Sequence, residues 1–271
     1  MNVLSIDFDY FQKVSKTTLA YYPDGHDFGS ELATIIWAGH YINPSERQKI
    51  MSVTTDKDKL QAVMTALKKQ NIYADVLIAQ SHKHIAQFIK DNVPTSEPLH
   101  IVNLDMHHDT FEYGGKSESD FSRVDCGDWG SVILNNYSKA DITWVNQDAS
   151  DVYGKGDDRL IVTQDLGKAI DKDFGMIFIC RSDIWFPPHL DPDFKKLFNC
   201  ASRHFYNVKY EKDIDKPRSM KEIEERVEAE IGFYKKNYPE YYEKTFGKES
   251  ASKPEKPKRT PSKPDLGEPE I

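Results

Sequence analysis

Residues 101–110 have the sequence IVNLDMHHDT, in which a short apolar run leads directly into Asp105, His107 and Asp109. The apolar run predicts a buried β-strand, and the carboxylates and imidazole that follow it are strong metal ligands. Because alternate residues of an extended chain point the same way, these three side chains are expected to converge on one centre. The stretch therefore predicts a strand of a parallel sheet with a metal site at its carboxyl end.

Around this stretch, apolar runs alternate with segments of helical periodicity. Leu60, Val63, Met64 and Leu67 recur at the i, i+3, i+4, i+7 spacing of an amphipathic helix. Strands that alternate with helices predict an α/β fold, a single domain with three layers (α/β/α) around a mostly parallel sheet. The predicted strands are 2–9, 74–79, 100–104, 140–146 and 175–183, and the predicted helices are 29–42, 57–71, 82–92, 127–137 and 216–244.

The composition limits the classes of partner. The 271 residues carry a formal net charge of −8, which argues against a nucleic-acid-binding surface and favours a cationic substrate. Three cysteines without a CxxC pair predict a reducing compartment, and no apolar run approaches the roughly 20 residues of a membrane span. The N-terminus has two early aspartates and no basic region, so no signal peptide is expected. We therefore expect a cytoplasmic protein that binds no membrane.

The end of the chain differs in composition from the rest. Residues 248–271 consist mainly of Pro, Lys, Ser and Glu, with almost no apolar side chains. Such a segment cannot bury enough surface to offset its ordering entropy, so it is predicted to be disordered. The folded domain is accordingly predicted to span residues 1–247.

Four of the predicted strands end in residues that can bind a metal. In a parallel α/β sheet, ligands sit outside the carboxyl ends of the strands, where these residues are expected to meet. Oxygen-rich ligation with some imidazole suits Mn²⁺, and also Zn²⁺ or Fe²⁺, and several carboxylates favour two ions. The four strand ends are 5–9 (SIDFD), 79–82 (AQSH), 104–109 (LDMHHD) and 180–183 (CRSD).

Purely structural explanations stay open for several of these residues. Asp7 and Asp9 are able to cap the turn after their strand, and a histidine such as His82 is common as a hydrogen-bonded loop residue. The segment DCGDWG at 125–130 is typical of a tight turn.

The strand ends resemble motifs of the arginase–deacetylase superfamily, the ureohydrolase fold with a binuclear manganese site. The family motif Asp-Ala-His-x-Asp is similar to residues 105–109 (DMHHD), and its Gly-Gly-Asp-His segment resembles VLIAQSHKH, with His82 at the ligand histidine. The third motif, Ser-x-Asp-x-Asp, is similar in chain order to ICRSDIW, where Asp183 matches the first aspartate and Trp185 stands at the second. The early DFDYF and the HHD segments resemble a divergent branch that includes peptide arginases.

The resemblance implies a hydrolase with two Mn²⁺ per chain, Zn²⁺ or Fe²⁺ being less expected. Its substrate would be an arginine-containing peptide or a small guanidino compound, hydrolysed to ornithine (or the corresponding amine) and urea. Asp105 and Asp183 would bridge the ions, and Asp9 would replace the carboxylate lost at Trp185. The implied metal ligands are His82, Asp105, His107, Asp109, Asp183 and Asp9.

Such a reaction needs further side chains. The departing amine requires an acid, for which His84 and Asp128 are the candidates, and a guanidinium prefers a carboxylate partner. The candidate substrate-binding residues are Asp7, Asp125 and Glu112.

Two alternatives remain from the sequence. One is a metal-dependent amidohydrolase like the deacetylase arm of the superfamily, which usually works with one Zn²⁺ and a tyrosine. The other is a non-catalytic binding protein that keeps the fold, which Trp185 at a ligand position allows. A homo-oligomer is left open, since the charged terminal helix is able to pack on the domain or to mediate a dimer.

Overall fold

The computed structural model describes residues 1–23, 29–111, 119–150 and 158–246. Within these ranges the strands are β1 (Asn2–Asp7), β2 (Gln12–Lys13), β3 (Thr54–Thr55), β4 (Asp75–Ala79), β5 (Leu99–Leu104), β6 (Ala140–Val145), β7 (Leu160–Thr163), β8 (Met176–Cys180) and β9 (Asn207–Tyr210). The helices are α1 (Lys16–Leu19), α2 (Ser30–Tyr41), α3 (Pro44–Met51), α4 (Lys57–Leu67), α5 (His84–Asn92), α6 (Trp129–Asn136), α7 (Leu166–Ile170), α8 (Asp191–His204), α9 (Met220–Asn237) and α10 (Pro239–Thr245).

Seven strands form one sheet in the order β7-β6-β5-β1-β8-β4-β9, and each neighbouring pair is parallel. The short strands β2 and β3 pair separately as an antiparallel ribbon. The predicted α/β class with a mostly parallel sheet is therefore confirmed.

Helices cover both faces of the sheet because alternate strand residues point to opposite sides. On one face, Leu4 and Ile6 of β1 belong to a core with buried side chains of α2, α4, α8 and α9. On the other face, Val3 of β1 packs in a second core with residues of α5 and α6. Two cores on either side of one sheet make the three-layer α/β/α domain that the sequence predicts.

The structure corrects several element boundaries. The first strand ends at Asp7 and a short 3₁₀ turn, Phe8–Phe11, follows it. The predicted helix 216–244 is two helices, α9 and α10, because the ring of Pro239 prevents the first helix from continuing. The helix α8 was not predicted, although its apolar face is buried through Phe194 and Leu197. The edge strands β7 and β9 were not predicted either.

The register of the central strands places their carboxyl ends side by side. Ile6 of β1 is opposite Leu104 of β5, and Asp7 is opposite Cys180 of β8, which in turn is opposite Ala79 of β4. The loops after these four strands therefore leave one edge of the sheet together. None of the described helices combines the length with the apolar composition that a membrane span requires. The predicted tail, 248–271, lies outside the described residues.

Candidate metal centre

The loop after β1 supplies two buried carboxylates. The Asp7 side chain accepts a hydrogen bond from the backbone N–H of Asp9 at 3.1 Å, so it caps the 3₁₀ turn as the structural alternative allowed. The Asp9 Oδ1 atom accepts from the backbone N–H of Met106 at 3.2 Å, which ties the ends of β1 and β5 together. Both aspartates thus have a structural role, and both still face histidines.

His82, in the loop after β4, lies among three carboxylates. Its Nδ1 atom is 3.2 Å from Oδ2 of Asp7, 3.0 Å from Oδ2 of Asp105 and 2.9 Å from Oδ2 of Asp109. The side chain is buried and stacks on Phe178 of β8, with ring centroids 5.6 Å apart. Carboxylates from the ends of two strands, β1 and β5, therefore converge on one imidazole nitrogen at the end of a third strand, β4.

His107 forms a second contact set on the other side of Asp105. Its Nδ1 atom is 3.2 Å from Oδ2 of Asp9 and 3.7 Å from Oδ1 of Asp105. Asp105 thus directs one oxygen towards His82 and the other towards His107. Because β5 ends at Leu104, strand alternation does not cause this convergence. It results from a tight turn in which the N–H of His107 donates to Asp105 Oδ1 at 2.7 Å.

Asp109 is held by the first turn of α6. Its Oδ2 atom accepts a hydrogen bond from Nε1 of Trp129 at 2.6 Å, and its carbonyl accepts from the N–H of Gly130 at 2.8 Å. The backbone of Asp109 is in the left-handed region, with φ of 52°. A non-glycine residue in this region costs free energy and persists only where surrounding contacts enforce it.

Two groups of these side chains can hold a metal ion. The first group is Asp7, His82 and Asp105, and the second is Asp9, Asp105 and His107. Within each group the potential ligand atoms lie within 4.8 Å of one another. Asp105 belongs to both groups, so its two oxygens face two neighbouring positions.

The hydrogen bonding of the cluster tests whether a cation fits it. Nδ1 of His82 and Oδ2 of Asp9 are buried and have no hydrogen-bond partner among the described residues, although oppositely charged or polar atoms lie within 3.2 Å of each. Buried polar atoms are almost always hydrogen-bonded, so such atoms need an explanation. Close oxygen and nitrogen atoms that do not bond to one another are the arrangement expected around a cation. The donor set fits a divalent metal.

The ionisation of the carboxylates supports the same conclusion. Burial raises the pKa of Asp7, and the nearby charge of Asp9 adds to this shift. The pKa of Asp9 is raised in the same way, by burial and then by Asp105. Burial, Asp109 and Asp7 together raise the pKa of Asp105 to about 8. Crowded, buried carboxylates hold protons more tightly because lost hydration and neighbouring negative charges disfavour the ionised form.

The histidines respond to the same crowding. Burial lowers the pKa of His82, but the carboxylates of Asp105, Asp109 and Asp7 outweigh burial and hold it well above the ordinary value of 6.5. Burial also acts to lower the pKa of His107, and Asp9 raises it to about 10. The cluster is strongly acidic, and positive charge of any origin stabilises it.

A cavity of about 210 Å³ opens over the cluster. It is smaller than the roughly 300–1,000 Å³ of sites for drug-sized ligands, so it suits one side chain or a small molecule. Ser182, whose φ is 60°, and Trp185 line it from the loop after β8, and the Trp185 ring is 5.1 Å from that of His107. The described lining residues are Asp7, His82, His107, Asp109, Phe111, Asp125, Cys126, Gly127, Ser182 and Trp185.

Asp183 does not join the cluster. Its carboxylate is paired with the guanidinium of Arg181 and accepts a hydrogen bond from Ser30. Although Asp183 is buried, the charges of Arg218 and Arg181 outweigh burial and lower its pKa. The resemblance predicts that Asp183 bridges two ions, whereas its carboxylate is paired with arginine. Asp7, which is predicted to bind substrate, lies beside His82 instead.

The other predicted residues are dispersed. His84 lies at the start of α5 and pairs with Glu211, with 3.0 Å between Nε2 and Oε1. Asp128 is buried and accepts a 2.7 Å hydrogen bond from the N–H of Asp125. Of these two aspartates, Asp125 is among the described residues that line the cavity and Asp128 is not. Neither predicted acid is thus among the cavity-lining residues described above. Glu112 lies outside the described residues.

Sequence reasoning missed several residues of the site. The predicted helix 127–137 contains Trp129 and Gly130, but neither was predicted to support the site. The signal for their role is the segment DCGDWG at the amino end of this helix. Ser5 and Asn103 interrupt apolar strands, and each was visible as a polar residue two positions before an aspartate.

Comparison of the chain with protein-family models, with curated proteins and with solved structures finds no match in any of the three.

Proposed function

We propose that this protein is a metal-dependent hydrolase of guanidino groups with two Mn²⁺ per chain. The observation that carries the proposal is the two ligand groups that share Asp105, one on each of its oxygens. Carboxylates that serve two adjacent positions are typical of binuclear hydrolytic sites. Asp7, His82, Asp105 and Asp109 would hold one ion, and Asp9, Asp105 and His107 the other.

The charge of the cluster supports two ions rather than one. Asp7, Asp9, Asp105 and Asp109 are buried and carry four negative charges when ionised. Two divalent cations balance these charges with both histidines neutral, which is the form that binds metals. Oxygen-rich ligation with two imidazoles favours Mn²⁺, with Zn²⁺ or Fe²⁺ second.

Bound at this edge of the sheet, the metal ions would activate water as a nucleophile near neutral pH. The balanced reaction joins water to a protonated guanidino group, breaks one carbon–nitrogen bond, and releases a protonated amine and urea. The protein must bind a cation in front of the cluster, and Asp125 on the cavity wall offers a carboxylate for it. The Trp185 ring lines the same cavity and provides a flat face on which a guanidinium can stack.

The small cavity favours a side chain that enters from a larger molecule. An arginine side chain within a peptide fits this description, and the product would be peptidyl ornithine. The resemblance to the branch that includes peptide arginases supports the same substrate class. The deacetylase alternative receives less support, because no tyrosine lines the described part of the cavity.

The test combines metal analysis with product analysis. We expect the purified chain to bind close to two Mn²⁺ and to release urea from arginine-containing peptides, with ornithine detected by mass spectrometry. Free arginine and a decarboxylated guanidino amine serve as small-molecule arms. The variants Asp105→Ala and His107→Ala are expected to lose both metal and activity. Urea release that survives both substitutions, or one Zn²⁺ per chain with amide hydrolysis instead, would refute the proposal.

A further inference from the structure

Two polar side chains lie on central strands of the sheet, each two positions before an aspartate of the carboxylate cluster. Ser5 on β1 and Asn103 on β5 are opposite each other in the strand register, and neither is exposed to solvent. Val3 and Ile101, which precede them by two positions and therefore lie on the same face of the sheet, are apolar and buried. A polar group in such a place is costly unless hydrogen bonds compensate for its lost hydration.

Each of these side chains contacts one member of the first ligand group. Ser5 Oγ is 2.7 Å from Nε2 of His82. The Asn103 amide donates to Oδ2 of Asp105 at 3.3 Å. Both polar residues thus contact candidate ligands, and neither is among the described residues that line the cavity.

The contact at Nε2 has a consequence for the opposite ring nitrogen. An imidazole that donates its Nε2–H to a hydroxyl carries a lone pair on Nδ1, because neutral histidine has only one N–H. In His82, Nδ1 is the atom that lies within 3.2 Å of the oxygens of Asp7, Asp105 and Asp109. When the Ser5 hydroxyl accepts from Nε2–H, the contact fixes the ring orientation and leaves the Nδ1 lone pair for a cation.

Asn103 contacts Asp105, a second member of the first ligand group. Its donor group restrains the Asp105 carboxylate so that Oδ2 faces His82, leaving Oδ1 towards His107. Its own Oδ1 is buried, and no described residue hydrogen-bonds it. An apolar residue of similar size would stabilise the fold more, so packing alone does not account for an asparagine at this position.

We propose that Ser5 and Asn103 are positioning residues, which orient His82 and Asp105 for a divalent cation. The inference rests on the metal site of the proposed function. Outer hydrogen-bond partners of metal ligands typically change metal affinity by about 10–100-fold when they are removed. The same size of effect is expected here.

The experiment measures Mn²⁺ binding to the full chain by calorimetric titration and by electron paramagnetic resonance. Ser5→Ala and Asn103→Leu are expected to weaken Mn²⁺ binding by about 10–100-fold and to alter the Mn²⁺ spectrum. Ser5→Thr keeps the hydroxyl and is expected to restore wild-type affinity. Asn103→Leu is also expected to keep or raise the melting temperature of the metal-free chain, which a merely structural asparagine would not do.

A matched control lies at the opposite end of the sheet. Gln70 is buried and hydrogen-bonds the carbonyl of Lys172 and the N–H of Phe174. Gln70→Leu is expected to lower stability while leaving Mn²⁺ affinity unchanged. Wild-type affinity in both Ser5→Ala and Asn103→Leu would overturn this inference alone. A wild-type chain that binds no divalent cation would overturn the proposed metal site as well.

Discussion

The backbone N–H of Gly130 donates a 2.8 Å hydrogen bond to the carbonyl of Asp109, and this contact sets the position of Asp109. A Cβ atom at Gly130 would lie 2.7 Å from the same carbonyl oxygen and 2.8 Å from the Thr110 side chain. The start of α6 therefore lies so close to the loop that carries Asp109 and Thr110 that only glycine fits at position 130.

Gly130→Ala is expected to displace Asp109, because the new methyl group meets backbone rather than a flexible side chain. We expect a loss of about 1–3 kcal/mol in the free energy of unfolding, as for other overpacked sites. Mn²⁺ affinity should fall as well, by about 10–100-fold. Gly39→Ala is the control: nothing lies within 4 Å of its Cβ, and it should stabilise α2 by about 0.5–1 kcal/mol. Wild-type Mn²⁺ affinity in Gly130→Ala would contradict this account.

The stability of the metal-free chain is expected to fall as the pH rises. The pKa of Asp105 is raised from 3.8 to about 8 and that of His107 from 6.5 to about 10. A group with a raised pKa stabilises the fold fully below its unfolded value and loses this contribution as pH passes the folded value. The losses therefore span pH 3.8 to about 8 for Asp105 and 6.5 to about 10 for His107.

Manganese should oppose this trend, since metal binding requires deprotonated ligands and strengthens with pH. Melting temperatures measured between about pH 5 and 9, with chelator and with saturating Mn²⁺, test both effects. The increase in the free energy of unfolding that Mn²⁺ causes should be larger at high pH. At an Mn²⁺ concentration 100-fold above Kd, it should reach about 2.7 kcal/mol per site. A metal-free chain that becomes more stable over this range would refute the assignment.

Arg218→Leu is expected to destabilise the fold strongly. Its buried guanidinium pairs with Asp191 and donates to the carbonyl of Phe186 at 2.7 Å, which braces the loop that carries Trp185. Removing one partner leaves the other charge buried and unpaired, at a cost of about 3–5 kcal/mol. The partly exposed pair of Arg47 and Glu224 supplies the control, for which Arg47→Leu should cost less than about 1 kcal/mol. Chemical denaturation measures the free energy of unfolding of both variants. Equal losses would contradict the expected difference between the buried and the more exposed ion pair.

Asp125→Asn is expected to impair substrate binding without affecting the metal. A lost hydrogen bond to a charged group amounts to about 1.5–3 kcal/mol, or roughly tenfold to a hundredfold in kcat/KM. Mn²⁺ content should stay at the wild-type level, because Asp125 belongs to neither ligand group. Asp120→Asn, at an exposed residue that does not line the cavity, should leave kcat/KM unchanged. Unaltered kinetics in Asp125→Asn would exclude it as the guanidinium partner.

Much of the fold was predictable because its signals are local. The apolar runs before Asp7 and Asp105 predicted strands, and the spacing of Leu60, Val63 and Leu67 predicted α4. The same logic identified His82 and His107 as residues at strand ends. Edge strands such as β7 gave weaker signals, because they are short and partly exposed.

Local sequence thus determined which strands carry carboxylates and imidazoles to one edge of a parallel sheet, since periodicity and strand length depend on neighbours in the chain. Only the tertiary structure decided which of those side chains meet. Asp7 reaches His82 because β1 lies between β5 and β8, whereas Asp183 is neutralised by Arg181 and Arg218. The order of strands and the pairing of buried charges arise from contacts between residues far apart in sequence, which no local pattern records.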